Sequence, residues 1–395
     1  MEQPLSGGPA LADAFVERFA VEPAAKGPLQ GTRFAVKDLF DVAGRHTGCG
    51  NPTWRATHPP ATSHAAVVQI LLRAGARLVG KTRTDELAYS LDGSNVHEGA
   101  PNNPAAPAHL TGGSSSGAAS AAAAGEIDFA VGTDTAGSVR VPAAWCGIFG
   151  MRPTHARLPV AGLTALAPSF DTVGWFARST AMLQRVGRVF FGDGAITEPA
   201  ISLVRDARLD RDVDEAVAAA MGTMAAQCAV RGLPVGEVCF GIDLAAAAQC
   251  LRVLQGNEAW STHGRWIESA RPRFGPGVAE RFEAARAVTA AEVSKAAAER
   301  AAIQARLDAA LPPGLILCLP TVPGPAPRRD ASPEQLQIRR TQLLPLTALA
   351  SLTGRPQITM PLPSGGLAPT GFSLLGWRNG DEALLEVARR LAPAC

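Results

Sequence analysis

Apolar residues at Ala66, Val67, Ile70, Leu71 and Ala74 recur three and four positions apart, which puts them on one side of a helix over residues 63–74. Short apolar runs at 33–39 and 76–80 flank it, so a strand–helix–strand unit opens the chain. Residues 118–130 are nearly all small and apolar and predict a tight helix leading into a strand at 128–132. Leu11, Phe15 and Phe19 repeat every four residues and predict a helix over 10–20. From residue 212 the pattern turns alanine-rich and helical, over 213–231, 244–255 and one long run at 278–310. Strand character returns at 315–319, and the segments 341–350, 357–360 and 382–391 alternate helix, strand, helix. Such alternation predicts an α/β fold with a largely parallel or mixed sheet flanked by helices. The helical stretch 212–310 reads as an insertion over one core, so a single domain is expected over 1–395. The Pro-rich segment 320–333 predicts a surface loop.

Composition narrows the function classes more than it selects one. The 395 residues are 47% hydrophobic and 18% charged, ordinary for a soluble enzyme. A net charge of +2 gives no reason to expect a nucleic-acid or membrane-surface partner. Cys49, Cys146, Cys228, Cys239, Cys250, Cys318 and Cys395 show no C-x-x-C pair, which reads as reduced thiols in a cytoplasmic protein. Met1-Glu2-Gln3-Pro4 lacks the basic and apolar regions of a signal peptide. No run of about 20 strongly apolar residues predicts a transmembrane helix. The histidines (His46, His58, His64, His97, His109, His155, His263) lack ligand spacing, so no metal or cofactor is expected.

Chemistry concentrates in two Gly-rich segments. Gly112-Gly113-Ser114-Ser115-Ser116-Gly117 and Gly132-Thr133-Asp134-Thr135-Ala136-Gly137-Ser138-Val139-Arg140 bring hydroxyls and backbone N–H groups to turns, as acyl transfer requires. A Ser-His-Asp enzyme would show a G-x-S-x-G elbow, which is missing, and a phosphate cradle would need a following Gly-Lys-Ser/Thr. Lys37 lies upstream in Phe34-Ala35-Val36-Lys37-Asp38. Only four of the 37 Lys and Arg residues are lysine, so a lysine in an apolar strand points to an amine able to lose its proton.

These segments resemble the amidase signature family. The interval from Ser114 to Ser138, 24 residues (138 − 114), matches that family's, and the signature block covers about 29–179. Further stretches are similar to its plant-type indole-3-acetamide amidohydrolase (amidase 1) branch. They are Asn51-Pro52-Thr53-Trp54, Ser169-Phe170-Asp171-Thr172-Val173-Gly174-Trp175, His263-Gly264-Arg265-Trp266-Ile267 and Pro320-Thr321-Val322-Pro323-Gly324-Pro325. The similarity is weakest between about 193 and 260.

The resemblance implies a twisted mixed β-sheet core covered on both faces by α-helices, and hydrolysis of a small primary carboxamide through a Ser–cis-Ser–Lys triad. An arylacetamide such as indole-3-acetamide is the implied substrate; a urea-derived or aliphatic amide is the alternative, followed by a glutaminase-type amidotransferase subunit. Ser138 would be the nucleophile, Ser114 the bridge after a cis peptide, and Lys37 the base. An unperturbed lysine titrates near ~10.4, so burial must lower Lys37 by several units. The alternative for Lys37 is a strand-end lysine paired with Asp38. The oxyanion donors would be the backbone N–H groups of Thr135, Ala136, Gly137 and Ser138. Ala136 stands where the family commonly has glycine. Ser115, Asp134 and Arg140 would support the loop, although the two charged residues could equally sit at the surface. Trp175, Trp266 and Trp377 are candidates to line an aryl pocket, and a homodimer is compatible with the family.

Overall fold

The computed structural model describes residues 13–192, 200–362 and 366–392. Eleven strands are described: β1 Phe15–Val21, β2 Arg33–Lys37, β3 Arg77–Thr82, β4 Phe129–Asp134, β5 Phe149–Arg152, β6 Thr172–Ala177, β7 Ser202–Arg205, β8 Val235–Glu237, β9 Leu315–Pro320, β10 Gln357–Pro361 and β11 Gly371–Leu375. They form one sheet in the order β1-β3-β2-β4-β6-β5-β10-β11-β9-β7-β8. Pairing is parallel for β3–β2–β4 and for β9–β7–β8, and antiparallel elsewhere, so the sheet is mixed.

Helices cover both faces. The first five are α1 Pro52–Thr57, α2 Ala66–Arg73, α3 Ser116–Ala123, α4 Arg140–Trp145 and α5 Thr180–Phe191. The remainder are α6 Glu215–Val230, α7 Leu244–Ala270, α8 Val278–Ala287, α9 Ala290–Ala310, α10 Pro333–Thr353 and α11 Asp381–Leu391. Side chains alternate across each strand, and the clusters follow that period. Ile316 and Cys318 of β9 join the core under α2, α5, α6 and α11, whereas Leu317 and Leu319 join the core under α7, α9 and α10. Ala35 of β2 and Ala130 of β4 meet the alanines of α3 in a third cluster. Small residues on both sides let α3 lie close to the sheet.

Several sequence expectations are corrected. Phe15 and Phe19 lie in an edge strand, not a helix, because a separation of four residues also returns to the same face of a strand; residues 10–12 lie outside the described residues. The run at 278–310 is two helices. A capping box, in which Thr289 Oγ1 accepts from the Glu292 N–H and the Glu292 carboxylate accepts from the Thr289 N–H, starts α9. The helical middle also supplies β8, while α6 buries Val217, Met221, Met224 and Cys228 in the sheet core. The segment 320–333 is a surface loop only in its second half. Thr321, Val322 and Ala326 are buried, and Gly324 accepts a hydrogen bond from Trp145 Nε1 at 2.9 Å.

Candidate active site

Strand β2 ends at Lys37, β4 ends at Asp134, and the two are parallel neighbours, so both chains leave the sheet at the same edge. The Ser114 turn before α3 and the Ser138 turn before α4 meet there. Lys37 Nζ donates to Ser114 Oγ at 2.7 Å and to Thr133 Oγ1 at 2.8 Å, and Ser114 Oγ donates to Ser138 Oγ at 2.9 Å. Lys37 and Ser114 are fully buried and Ser138 nearly so. The Gly113–Ser114 peptide is cis. Burial pushes the Lys37 ammonium down to about 7, against the opposing pull of Asp85, Asp171 and Asp134. Lys37 is not paired with Asp38, which instead faces Lys81 Nζ at 2.7 Å and accepts the Gly48 N–H at 2.9 Å.

Asp134 organises the Ser138 loop. Its Oδ1 accepts from the Gly137 N–H at 2.9 Å and Arg140 Nη2 at 2.8 Å, and its Oδ2 from the Val139 N–H at 3.1 Å and Arg140 Nε at 3.0 Å. Arg152 Nη1 adds an ion pair at 2.9 Å. Burial alone would raise the Asp134 carboxyl, but the two guanidiniums and the loop N–H groups hold it well below the usual carboxylate range. Arg140 also reaches the Thr347 carbonyl and Gln357 Oε1, both at 2.8 Å, which ties the loop to α10 and β10. Asp134 and Arg140 are therefore buried supports, not surface charges.

The Gly137 N–H, turned to Asp134, is withdrawn from the expected oxyanion set, leaving Thr135, Ala136 and Ser138 as candidate donors. Ser115 does not join the Lys37–Ser114–Ser138 chain. Its hydroxyl donates to the Thr133 carbonyl at 3.1 Å and accepts the Thr133 N–H at 3.2 Å, bracing the end of β4. A Cβ on Gly132 would stand 2.6 Å from Ser115 Oγ. Gly132→Ala is thus expected to cost about 1–3 kcal/mol of stability. Denaturant titration of the variant against the parent protein checks this; an unchanged midpoint would contradict it.

Two of the three tryptophans pack in or against the sheet core. Trp175 is fully buried on β6, its ring 5.4 Å from Phe190 of α5 and its N–H donated to the Leu183 carbonyl at 3.0 Å. Trp377 packs against the same core. Trp266 lies elsewhere, in a cluster with Trp54 (4.9 Å between ring centres) and Phe274 (6.3 Å).

Sequence reasoning missed Thr133, Arg152, Asp171 and Asp85. Asp171 accepts from Thr135 Oγ1 at 2.6 Å and from the Leu166 and Ala167 N–H groups, so it fixes the loop from the opposite side. Asp85 accepts the Gly93 N–H at 3.1 Å, and burial, then Asp92, push its carboxyl up to about 7. An arginine inside the otherwise apolar Phe149–Arg152 strand was the one local signal for Arg152.

A mixed sheet carrying such a Ser-rich loop pair is the architecture shared with amidase-signature enzymes of known structure. The chain is a member of that family and an amidase: the Amidase profile matches residues 10–196. "Amidase 1" of Arabidopsis thaliana is 39% identical across 96% of this chain and 97% of its own length. "Amidase 1" of Oryza sativa subsp. japonica is 36% identical across 98% of this chain and 96% of its own. A solved structure described as "Crystal structure of amidase" superposes with a TM-score of 0.84 at 29% identity, covering 93% of this chain and 85% of that one. Among the described residues, no helix is long and apolar enough to cross a membrane.

Proposed function

We propose that the chain hydrolyses a small primary carboxamide, an arylacetamide of the indole-3-acetamide type, with Ser138 as nucleophile, Ser114 as bridge and Lys37 as base. The observation that carries the reading is the buried hydrogen-bonded chain Lys37–Ser114–Ser138. Neutral Lys37 draws a proton from Ser114, which draws one from Ser138, while Ser138 Oγ bonds to the carbonyl carbon. The carbonyl electron pair moves onto oxygen, facing the N–H groups of Thr135, Ala136 and Ser138. The intermediate collapses as the proton returns through Ser114 to the leaving nitrogen, releasing ammonia and an acyl-Ser138 ester. Water, deprotonated through the same relay, then cleaves the ester to the carboxylate. Trp266 with Trp54 and Phe274 offers an aryl-binding surface, and the cysteines, unpaired among the described residues, fit a cytoplasmic setting.

Initial rates of ammonia release from indole-3-acetamide, phenylacetamide, butyramide and allophanate test the substrate class. A kcat/KM at least about tenfold higher for the aryl amides is expected; higher values for butyramide or allophanate would refute the aryl assignment.

The base must be unprotonated, so kcat/KM should fall about tenfold per pH unit below a pKa near 7 and level off above it. Asp85 titrates in the same window, so the limb reports the two groups together. A profile flat down to about pH 5 would contradict a lysine base whose amine is half-protonated near neutrality.

A further inference from the structure

Three carboxylates act on the Lys37 amine, Asp85 most strongly, then Asp171 and Asp134. Two of them are satisfied by other groups. Asp134 is paired with Arg140 and Arg152, and Asp171 accepts from Thr135 Oγ1 and from the Leu166 and Ala167 N–H groups. Asp85 is different. It is fully buried, its Oδ2 accepts the Gly93 N–H at 3.1 Å, and its Oδ1 is buried with no hydrogen-bond partner. The Ser90 hydroxyl beside it donates to Asp92 Oδ2 at 2.7 Å. Among the described residues Asp85 takes part in no ion pair.

The chain holds this carboxylate against the Ser114 turn. The Asp85 N–H donates to the Ser114 carbonyl at 3.2 Å, and a Cβ on Gly113 would stand 2.7 Å from both Asp85 Cγ and Oδ1. A side chain at 113 would therefore displace it. An unpaired carboxylate in this position is costly in the resting protein, and burial, then Asp92, push it up to about 7. The cost falls when a positive charge forms nearby. The serine relay forms one, because the proton given up by Ser114 ends on Lys37 Nζ. The ammonium then stands near Asp85 where water screens neither charge. Other groups facing the pair do not supply this. Asp92 has the same sign as Asp85, Arg281 of α8 donates to the Tyr89 carbonyl, and burial keeps the Cys49 thiol protonated.

We propose that Asp85 is a positioning residue for amide hydrolysis, the buried counter-charge of the ammonium that Lys37 becomes when Ser114 gives up its proton. This rests on Lys37 acting as the base. Asp85 acts through Lys37 alone and neither gives nor takes a proton in the step. Its attraction for the amine is small while Lys37 is neutral and large once Lys37 is charged, so it favours the transition state over the resting site.

The pH dependence of kcat/KM for the most rapidly hydrolysed of the four amides tests this, in the full chain and in its Asp85→Asn and Asp85→Ser variants. Without the carboxylate the Lys37 ammonium is less stable. The acid limb should therefore move to lower pH by about one unit or more, while the plateau above it falls about tenfold or more. A residue that only supported the loop would lower the plateau and leave the limb in place. Circular dichroism identifies folded variants; if Asp85→Asn fails to fold, Asp85→Ser decides. A limb that stays in place or moves to higher pH in a folded variant, or a plateau equal to the parent's, overturns the inference and leaves Lys37 as base. A parent protein with no acid limb overturns the base and the inference together.

Discussion

Ser138→Ala should lower kcat by roughly 10⁴–10⁶-fold while leaving the melting temperature nearly unchanged, the loss seen when the nucleophile of a serine hydrolase is removed. The reason is local. Ser138 Oγ accepts a single hydrogen bond, from Ser114 Oγ at 2.9 Å, so its removal leaves Ser114 still bonded to Lys37 Nζ at 2.7 Å. The loop around it is held by Asp134, Arg140 and Asp171, none of which contacts the Ser138 hydroxyl. Ammonia release and fluorophosphonate labelling of parent and variant check the assignment together. A variant that keeps the parent rate, or still takes the label at this loop, would require another nucleophile. Lys37→Met should produce a loss of similar size, because Ser114 then has no base behind it.

Asp134→Ala should have the largest effect on stability, about 3–5 kcal/mol, because it leaves two guanidiniums buried without their carboxylate. Arg140 and Arg152 are both fully buried and reach Asp134 Oδ1 at 2.8 and 2.9 Å. Loss of the carboxylate also frees the N–H groups of Gly137 and Val139, so the loop carrying Ser138 loses its anchoring together with the fold. Asp134→Asn keeps the shape but not the charge and should fall between alanine and the parent. Equilibrium denaturation of the three proteins at neutral pH reads the order. Near-parent stability for alanine would show that the cluster contributes little. The paired, low-titrating Asp134 stabilises the fold above the ordinary carboxylate pKa, and that contribution fades as pH falls below it.

The extent to which the chain was legible depended on whether a residue's role rests on near neighbours. The helix Ala66–Arg73, the strands Arg33–Lys37 and Phe129–Asp134, and the loop-borne serines are readable because periodicity, Gly-rich turns and a motif interval are properties of consecutive residues. A four-residue repeat failed at Phe15 and Phe19, where pairing with Arg77–Thr82 outweighs local preference. Trp175 was equally beyond reach. Its sequence neighbours do not say which face of the sheet it occupies, and it faces Phe190 within the core.

The amino-acid order alone determined the family and the α/β class, and it singled out Lys37, Ser114 and Ser138 as the candidate triad, since these are carried by short segments with fixed spacing. Tertiary structure alone decided what surrounds them: the burial that brings an amine to about 7, the Arg152 that shares Asp134 with Arg140, and the turning of the Gly137 N–H to the Asp134 carboxylate. Desolvation and charge pairing depend on which distant strands and helices close over a group, and Arg152 and Thr347 reach this loop from β5 and α10.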